Sequence, residues 1–304
     1  PPPPGPTEPD DLPAWLEAPQ RCWLRALGLR PREWAEPLAD LEQLQLQERQ
    51  RSLLLGQALV GAGFADDFGY GFGNEFGNGL GGDAPPLAEP EGWLLQARGR
   101  GILPAEAAGV LEAVTLSERW RAVQNQLEGL GPRRQDAIGW GPWQRVLLWA
   151  GDSVVQLRAG RDRSRHRLTL WFDLLLAAAA GEAPRQGVLI ARTERGMAPA
   201  LRLRAPECDA ARRELERLAA LREDWRHRCW PVPPETGWAL LDRGEAAAIG
   251  TWEGSAQRPG ERLEPEQALC FGAELGGREL LAGTGADLRE LADALLAPLL
   301  EQRP

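Results

Sequence analysis

Five arginines lie within ten residues near the middle of the chain, where their guanidinium groups could bind phosphates. They are Arg158, Arg161, Arg163, Arg165 and Arg167, with His166 between the last two. Guanidinium groups hold phosphate oxygens through pairs of parallel hydrogen bonds, so this run is typical of a surface that contacts a nucleic-acid backbone. It is also typical of a solvated charged turn whose arginines pair with nearby acids. We predict phosphate contacts at these five arginines and keep the charged turn as the alternative.

The distribution of charge favours the first interpretation. The net charge of −9 argues against a protein that coats nucleic acid without selectivity. Residues 151–204, however, carry 10 arginines against 5 acidic residues, while residues 1–150 and 205–304 each carry a charge of −7. The centre of the chain is therefore locally basic within an acidic protein.

The chain contains no lysine, because all 35 of its cationic residues are arginine. Reactions that need a lysine amine, such as P-loop chemistry and Schiff-base formation, are excluded. Asp152 and Asp162 could be proposed as ligands of a hard divalent cation. Asp152 is expected in a turn and Asp162 lies between two arginines, so we treat a metal-dependent reaction there as a rival hypothesis.

The cysteines predict no metal site. Cys22, Cys208, Cys229 and Cys270 lie far apart in the sequence without a CxxC pair. We expect reduced structural thiols in a cytoplasmic protein, and no metal or cofactor in this chain. No apolar run reaches about 18 residues, so no membrane span is predicted.

Composition divides the chain into four parts. Residues 1–12 form a proline-rich linker, 13–60 a helical lead-in, 61–91 a glycine-rich insertion and 92–304 the core. The insertion carries Phe64, Phe68, Phe72 and Phe76 at every fourth position, which could stack on single-stranded DNA. Its acidic residues and its lack of arginine argue against that function, so a mobile insertion is the prediction.

Hydrophobic periodicity predicts helices in the lead-in and alternating strands and helices in the core. The lead-in helices are expected at 15–27 and 38–58, and a helix entered at Pro104 should bury Val110, Leu111, Val114 and Trp120. Further elements are a hairpin of strands 145–150 and 154–157 turning at Gly151 and Asp152, a buried helix at 168–180, strands at 188–191 and 200–203, and helices at 209–229, capped by Asp209, and 287–300. This order predicts an α/β fold with a mixed sheet flanked by helices, although α+β stays open.

Several local patterns together resemble the C-terminal domain of RecC, the gamma subunit of bacterial exodeoxyribonuclease V. They cover most of residues 13–304 apart from the insertion. The patterns are Gly101-Ile-Leu-Pro104-x4-Gly109, the lead-in Trp15…Pro19…Trp23…Leu27, the strand Val154–Arg158 followed by the helix Leu168–Ala180, the segment Glu214–Pro233, and the closing Leu296–Leu300.

The resemblance implies an inactivated core similar to the PD-(D/E)xK nucleases. In those enzymes two acids on neighbouring strands hold the metal, and a lysine activates water. Here the first strand is expected at Gly139–Trp143 with Pro142 at the acid position, and the second has Gln156 and Arg158 at the acid and lysine positions. Proline and glutamine supply no anionic ligand and arginine cannot act as a base, so we expect a fragment with no catalytic residues.

The resemblance also implies a role in a larger assembly. A RecC-like domain would bind RecB-like and RecD-like subunits of an ATP-dependent helicase–nuclease and guide DNA during double-strand break processing and recombinational repair. Two rivals stay open: a free-standing metal-dependent nuclease that uses Asp152 or Asp162, and a domain used only for protein contact. In the second rival, the arginine run would face acidic residues of a partner subunit.

Overall fold

The structure, a computed structural model, describes residues 11–31, 45–61, 82–83, 89–283 and 287–304. Most of the predicted proline-rich linker at 1–12 and of the predicted insertion at 61–91 lies outside the described residues, as does the start of the helix expected at 38–58. No helix in the described ranges is long and apolar enough to cross a membrane.

Helices and strands of the described residues follow in chain order. The helices are α1 Asp11–Glu17, α2 Pro19–Ala26, α3 Glu48–Gly61, α4 Pro90–Gly99, α5 Glu106–Leu130, α6 Ser164–Ala179, α7 Cys208–Asp224, α8 Pro234–Arg243, α9 Glu245–Glu253, α10 Pro265–Phe271, α11 Gly277–Ala282 and α12 Leu288–Glu301. The strands are β1 Gly82–Asp83, β2 Arg133–Trp140, β3 Trp143–Ala150, β4 Ser153–Arg161, β5 Gln186–Thr193, β6 Gly196–Arg204, β7 Gly254–Ser255 and β8 Arg258–Pro259.

The chain divides into two compact units, each built from separate stretches of sequence. The helical unit comprises Pro1–Leu38, Arg163–Leu175 and Pro206–Arg303. The sheet unit comprises Ala39–Asp162 and Leu176–Ala205. The boundary between Asp162 and Arg163 therefore falls within the predicted phosphate-binding run.

The sheet unit contains a mixed sheet with the strands in sequence order from β1 to β6. Neighbouring strands are antiparallel, except that β4 and β5 run parallel. Helix α6 stands between these two strands in the sequence, as a parallel connection requires. The predicted α/β class with a mixed sheet flanked by helices is confirmed.

Helix α6 has a sequence suited to complete burial. Residues Leu170 to Ala179 of this helix are all at most 5% exposed. An apolar helix without a polar face cannot remain at a surface, which explains why the buried helix was predictable. Gly181 then takes a positive φ of 90°, where a left-handed residue ends a helix favourably.

Two tight turns fix the order of the central strands. The predicted turn between β3 and β4 is confirmed, since Ala150 pairs with Ser153 across Gly151 and Asp152. Gly151 has a φ of +59°, and a Cβ there would lie 2.3 Å from the carbonyl oxygen of Leu130. Only glycine fits this position without displacing the backbone.

The second turn corrects a prediction. Residues 139–143 are not one strand, because β2 ends at Trp140, β3 begins at Trp143, and these two residues pair across Gly141 and Pro142. Gly141 has a φ of +59°, and proline cannot donate a backbone hydrogen bond inside a ladder. The glycine–proline pair therefore forms a hairpin turn.

Helix α5 buries a different face from the one predicted. Val110, Leu111 and Val114 are 53%, 69% and 51% exposed, so that part of the prediction is wrong, whereas Trp120 is fully buried as expected. The buried stripe is Glu112, Leu116, Trp120, Val123 and Leu127. This stripe has regular helical spacing but includes the carboxylate of Glu112. Hydrophobic periodicity assigns charged residues to the exposed face, so it cannot identify this stripe as the buried one.

Helix boundaries differ from the predictions where proline or capping intervenes. The lead-in helix expected at 15–27 is divided into α1 and α2, because Pro19 has no N–H to continue α1 and starts α2 instead. Helix α7 spans Cys208–Asp224 rather than the predicted 209–229, and its N-cap residue is Glu207 rather than Asp209. The final helix is confirmed, with Asp287 accepting hydrogen bonds from the backbone N–H groups of Arg289 and Glu290.

Candidate nucleic-acid interface

The end of strand β4 brings Arg161 beside Arg192 of β5. The two residues are paired in the parallel ladder. The register shifts just before them: β4 advances four residues, from Leu157 to Arg161, while β5 advances two, from Ile190 to Arg192. Such a bulge redirects side chains at the end of a strand. Arg161 is exposed and Arg192 is half-buried.

These two residues belong to a group of arginines and glutamates, which we call the arginine cluster. It comprises Arg51, Arg119, Arg161 and Arg192 together with Glu48 and Glu112. Glu48 accepts a hydrogen bond from Nη2 of Arg119 at 3.1 Å, and its Oε1 lies 3.1 Å from Nε of Arg192. The cluster thus joins the ends of β4 and β5 to helices α3 and α5.

Glu112 anchors the inner side of the arginine cluster. Its carboxylate, 4% exposed, accepts two hydrogen bonds from Arg51, at 2.7 Å from Nε and 2.6 Å from Nη2. The backbone N–H of Leu46 donates a third at 3.3 Å. The hydrogen bond from Arg51 lowers the pKa of Glu112 despite its burial, and the pKa of Arg51 is raised in turn. Both groups therefore remain charged.

The outer side of the cluster has an excess of positive charge. Burial lowers the pKa of Arg192, and repulsion from Arg161, Arg119 and Arg51 lowers it further, although Glu48 opposes the effect. Arginine nevertheless remains protonated in proteins. Four guanidinium groups face two carboxylates here, so an anion such as a phosphate would relieve the repulsion.

The other arginines of the predicted run have different surroundings in the helical unit. Arg163 pairs with Glu264, with 2.7 Å between Nη1 and Oε1. The guanidinium carbon of Arg167 lies 4.1 Å from the centre of the Trp238 ring, a cation–π contact. Arg165 lines a cavity of about 100 Å³. Of the five predicted residues, only Arg158 and Arg161 belong to the sheet unit.

Gln156 and Arg158 lie together on β4, whereas Pro142 does not lie beside them. Nη2 of Arg158 donates a 3.3 Å hydrogen bond to Oε1 of Gln156, which is 8% exposed. Leu148 pairs with Val155. The β3–β4 pairing ends at these two residues, and Pro142 lies outside both strands, in the turn between β2 and β3.

The aspartates of the rival metal hypothesis are not brought into a ligand set. Asp152 lies in the β3–β4 turn with a 57% exposed side chain, 3.9 Å from Nη1 of Arg185. Asp162 directly follows β4. In the described part of the chain, no group of three or more histidine, cysteine or acidic side chains could hold a metal ion.

Buried glutamates line the cavity in the helical unit. Glu261 is 5% exposed and accepts hydrogen bonds from the backbone N–H groups of Glu235 and Thr236, which caps the start of α8. Burial, reinforced by repulsion from Glu235, raises the pKa of Glu261 to about 8. Glu235 accepts a 2.8 Å hydrogen bond from the N–H of Ser164 at the start of α6, and burial raises its pKa as well.

Sequence reasoning missed most members of the arginine cluster. Arg51, Arg119 and Arg192 are far apart in sequence, so no local pattern joins them to Arg161. Arg192 alone gave a usable signal, because it directly follows the apolar run Val188–Ala191. Aligning that run in parallel with β4 would have placed Arg192 near Arg161.

Comparison with known proteins gives the family. The family model for the RecC C-terminal domain matches residues 4–245, well over half of the chain. The search of curated proteins finds no match to the chain. The matched residues include the whole mixed sheet and all residues of the arginine cluster. The chain therefore belongs to the RecC C-terminal domain family.

Proposed function

We propose that this chain is a non-catalytic domain of a RecC-like subunit within a cytoplasmic RecBCD-type helicase–nuclease. It binds RecB-like and RecD-like subunits and guides DNA during double-strand break processing and recombinational repair. The observation that carries the proposal is the arginine cluster, with exposed Arg161 beside Arg192 and four guanidinium groups facing two carboxylates. Family membership supports the assembly in which this surface would act.

The residues at the nuclease-like positions support a role without catalysis. Gln156 and Arg158 form a hydrogen-bonded pair on β4, where an acid and a lysine would be needed for metal-dependent cleavage. An amide oxygen without charge is a weak ligand for a hard cation, and the neighbouring guanidinium repels the cation. In this account the assembly's cleavage and ATP hydrolysis occur on other chains.

DNA binding by the purified chain tests the arginine cluster. We expect Arg161→Glu to weaken binding of tailed duplex DNA roughly tenfold at low salt, because a phosphate contact is replaced by repulsion. The slope of log affinity against log salt should become shallower by about 1. The matched control is Arg204→Glu, an exposed arginine at the opposite end of β6, which should bind like the parent chain. Equal losses in both variants would contradict a localised site.

A cleavage assay on the same purified chain tests the rival hypothesis of a metal-dependent nuclease. With Mg²⁺ or Mn²⁺ present, we expect no cleavage of linear single- or double-stranded DNA. Cleavage that disappears in Asp152→Asn or Asp162→Asn would establish the metal-dependent reaction and overturn the proposal.

An exposed apolar surface on α4 and α5 supports contact with a partner subunit. One side of α5 changes character along its length: its first half presents aliphatic side chains, whereas its second half presents charged ones such as Glu118 and Arg121. Aliphatic side chains exposed together to water are typical of a surface that binds another protein. The aliphatic side chains, with their exposures, are Leu95 at 70%, Val110 at 53%, Leu111 at 69% and Val114 at 51%.

Capture of the chain by purified RecB-like and RecD-like subunits tests this surface. We expect Leu111→Glu to weaken capture by one of them more than tenfold, because a charge would be buried in an apolar contact. Arg121→Glu, on the charged half of the same helix, is the matched control and should bind normally. If Leu111→Glu also binds normally, α5 is not the contact surface.

A further inference from the structure

The carboxylate of Glu48, at the start of α3, lies among the guanidinium groups of the arginine cluster. Its Oε1 lies 2.5 Å from Nη1 of Arg119 and 3.1 Å from Nε of Arg192. Its Oε2 accepts hydrogen bonds from Nη2 of Arg119 at 3.1 Å and from Nη1 of Arg51 at 3.5 Å. Within the described ranges, every hydrogen-bond and ion-pair partner of this carboxylate is a guanidinium group. Phosphate oxygens are bound by guanidinium groups in the same way, so a phosphate could take the place of the carboxylate.

The two glutamates of the arginine cluster are held differently. The side chain of Glu112 is 5% exposed and accepts hydrogen bonds from Arg51 and from the backbone N–H of Leu46. The side chain of Glu48 is 34% exposed, and it pairs with side chains alone. An ion pair that water reaches contributes little to stability, so Glu48 can exchange its partners at a small cost. Glu112 is therefore a fixed anchor, whereas Glu48 is a carboxylate that can be displaced.

Glu48 carries a negative charge beside the residues to which the phosphate contact is assigned. Burial alone would raise the pKa of Glu48, but the hydrogen bond from Arg119 and the charge of Arg192 lower it below its usual value. Arg192 is also the ladder neighbour of the exposed Arg161. A phosphate that bridges Arg161 and Arg192 would therefore meet the charge of Glu48, and it must displace this carboxylate to pair fully with Arg192.

We propose that Glu48 competes with DNA phosphates for Arg119 and Arg192, and that it leaves these guanidinium groups when a phosphate binds. The inference rests on the proposed function, because it requires that the arginine cluster contacts DNA. One anion replaces another in this exchange, so each contact gains less free energy than a phosphate would gain at unpaired arginines. Weak contacts of this kind suit a surface along which DNA moves. Glu48 is thus the residue that limits the affinity of the arginine cluster for DNA.

Salt-dependent binding of tailed duplex DNA by the full chain tests the competition through Glu48→Gln, which removes the charge and keeps the size of the side chain. We expect roughly fivefold tighter binding at low salt, because Arg119 and Arg192 become available to phosphate. The slope of log affinity against log salt should become steeper by about 1. The matched control is Glu194→Gln, at an exposed position in the turn between β5 and β6. It makes the same change of charge outside the arginine cluster and should bind like the parent chain.

A double-mutant cycle separates competition from a general change in charge. Arg192→Gln should weaken DNA binding only slightly in the parent chain, where Glu48 offsets the charge of Arg192. The same change should weaken binding several-fold in Glu48→Gln. Equal effects of Arg192→Gln in the two backgrounds would contradict the competition. Circular dichroism confirms that each variant is folded, and Glu48→Ala replaces Glu48→Gln in the cycle if the glutamine variant does not fold.

The same titrations distinguish failure of this inference from failure of the proposed function. If the parent chain binds DNA and Glu48→Gln binds no more tightly than Glu194→Gln, the competition is overturned while the DNA contact stands. If neither the parent chain nor Glu48→Gln binds DNA, both are overturned. Binding that is tighter in Glu48→Gln than in both the parent chain and Glu194→Gln, or that appears in Glu48→Gln alone, supports the competition.

Discussion

Two regions of the molecule use arginine in opposite ways. In the sheet unit, four arginines of the arginine cluster face two glutamates, and Arg161 stands exposed at its edge. In the helical unit, three arginines line a cavity with five glutamates, and Arg163 is paired with Glu264. Arg161 and Arg163 are only two residues apart in the sequence. The two arginines therefore differ in the balance of charge around them, and the proposed phosphate contact is assigned to Arg161 on that ground.

The largest expected effect comes from removing the anchor of the arginine cluster. Glu112→Ala leaves the half-buried Arg51 without its main partner and the N–H of Leu46 without its acceptor. We expect the free energy of unfolding of the sheet unit to fall by about 3 kcal/mol, as is usual when one partner of a buried pair is removed.

Chemical denaturation measures the effect of Glu112→Ala. The exposed Glu118 on the same helix supplies the control, since Glu118→Ala should change stability by less than about 0.5 kcal/mol. Similar losses in the two variants would show that Glu112 does not anchor the cluster.

The helical unit should respond to pH through its buried glutamates. The pKa of Glu261 rises from 4.5 to about 8 on folding, so the folded state binds a proton there more tightly than the unfolded state does. Its contribution to stability is present below pH 4.5 and is lost as the pH rises through about 8. We expect Glu261→Gln to weaken this dependence on pH.

Thermal unfolding at several pH values between 4.5 and 8 tests the role of Glu261. Glu245→Gln, at an exposed position at the start of α9, should leave the pH profile unchanged. An unchanged profile in Glu261→Gln would place the titration on another group.

The smallest expected effect concerns an arginine with a structural partner. Arg167→Ala removes the cation–π contact with Trp238 and should lower the stability of the helical unit by about 1 kcal/mol. The exposed Arg213 on α7 provides the control, where the same change should have little effect. If Arg167→Ala lowers DNA affinity without lowering stability, Arg167 contacts DNA rather than stabilising the helical unit, which would contradict this comparison.

The parts of the fold that were predictable are those set by local sequence. The glycine turn at Gly151, the apolar helix α6 and the final helix each carry their signal within a few residues. The buried face of α5 was not predictable, because the ion pair between Glu112 and Arg51 joins residues 61 positions apart. The nuclease-like motif predicts a strand at Pro142, whereas the glycine–proline pair at that point is itself a turn signal.

The candidate site was predictable only in part for the same reason. The arginine run identified Arg161, but the structure gives Arg163, Arg165 and Arg167 surroundings in the helical unit that no local pattern indicates. The partners of Arg161 come from α3, α5 and β5, which folding brings together. Whether the predicted run contacts DNA stays a proposal.

The most direct test of the central claim compares Arg161→Glu with Arg163→Glu. Both variants make the same change of charge two residues apart, and salt-dependent binding of tailed duplex DNA measures each. We expect Arg161→Glu to bind roughly tenfold more weakly with a shallower salt dependence, and Arg163→Glu to bind nearly as the parent chain does. Equal losses would mean that the whole basic run acts as one surface, and unchanged binding in both would leave protein contact as the function of this domain.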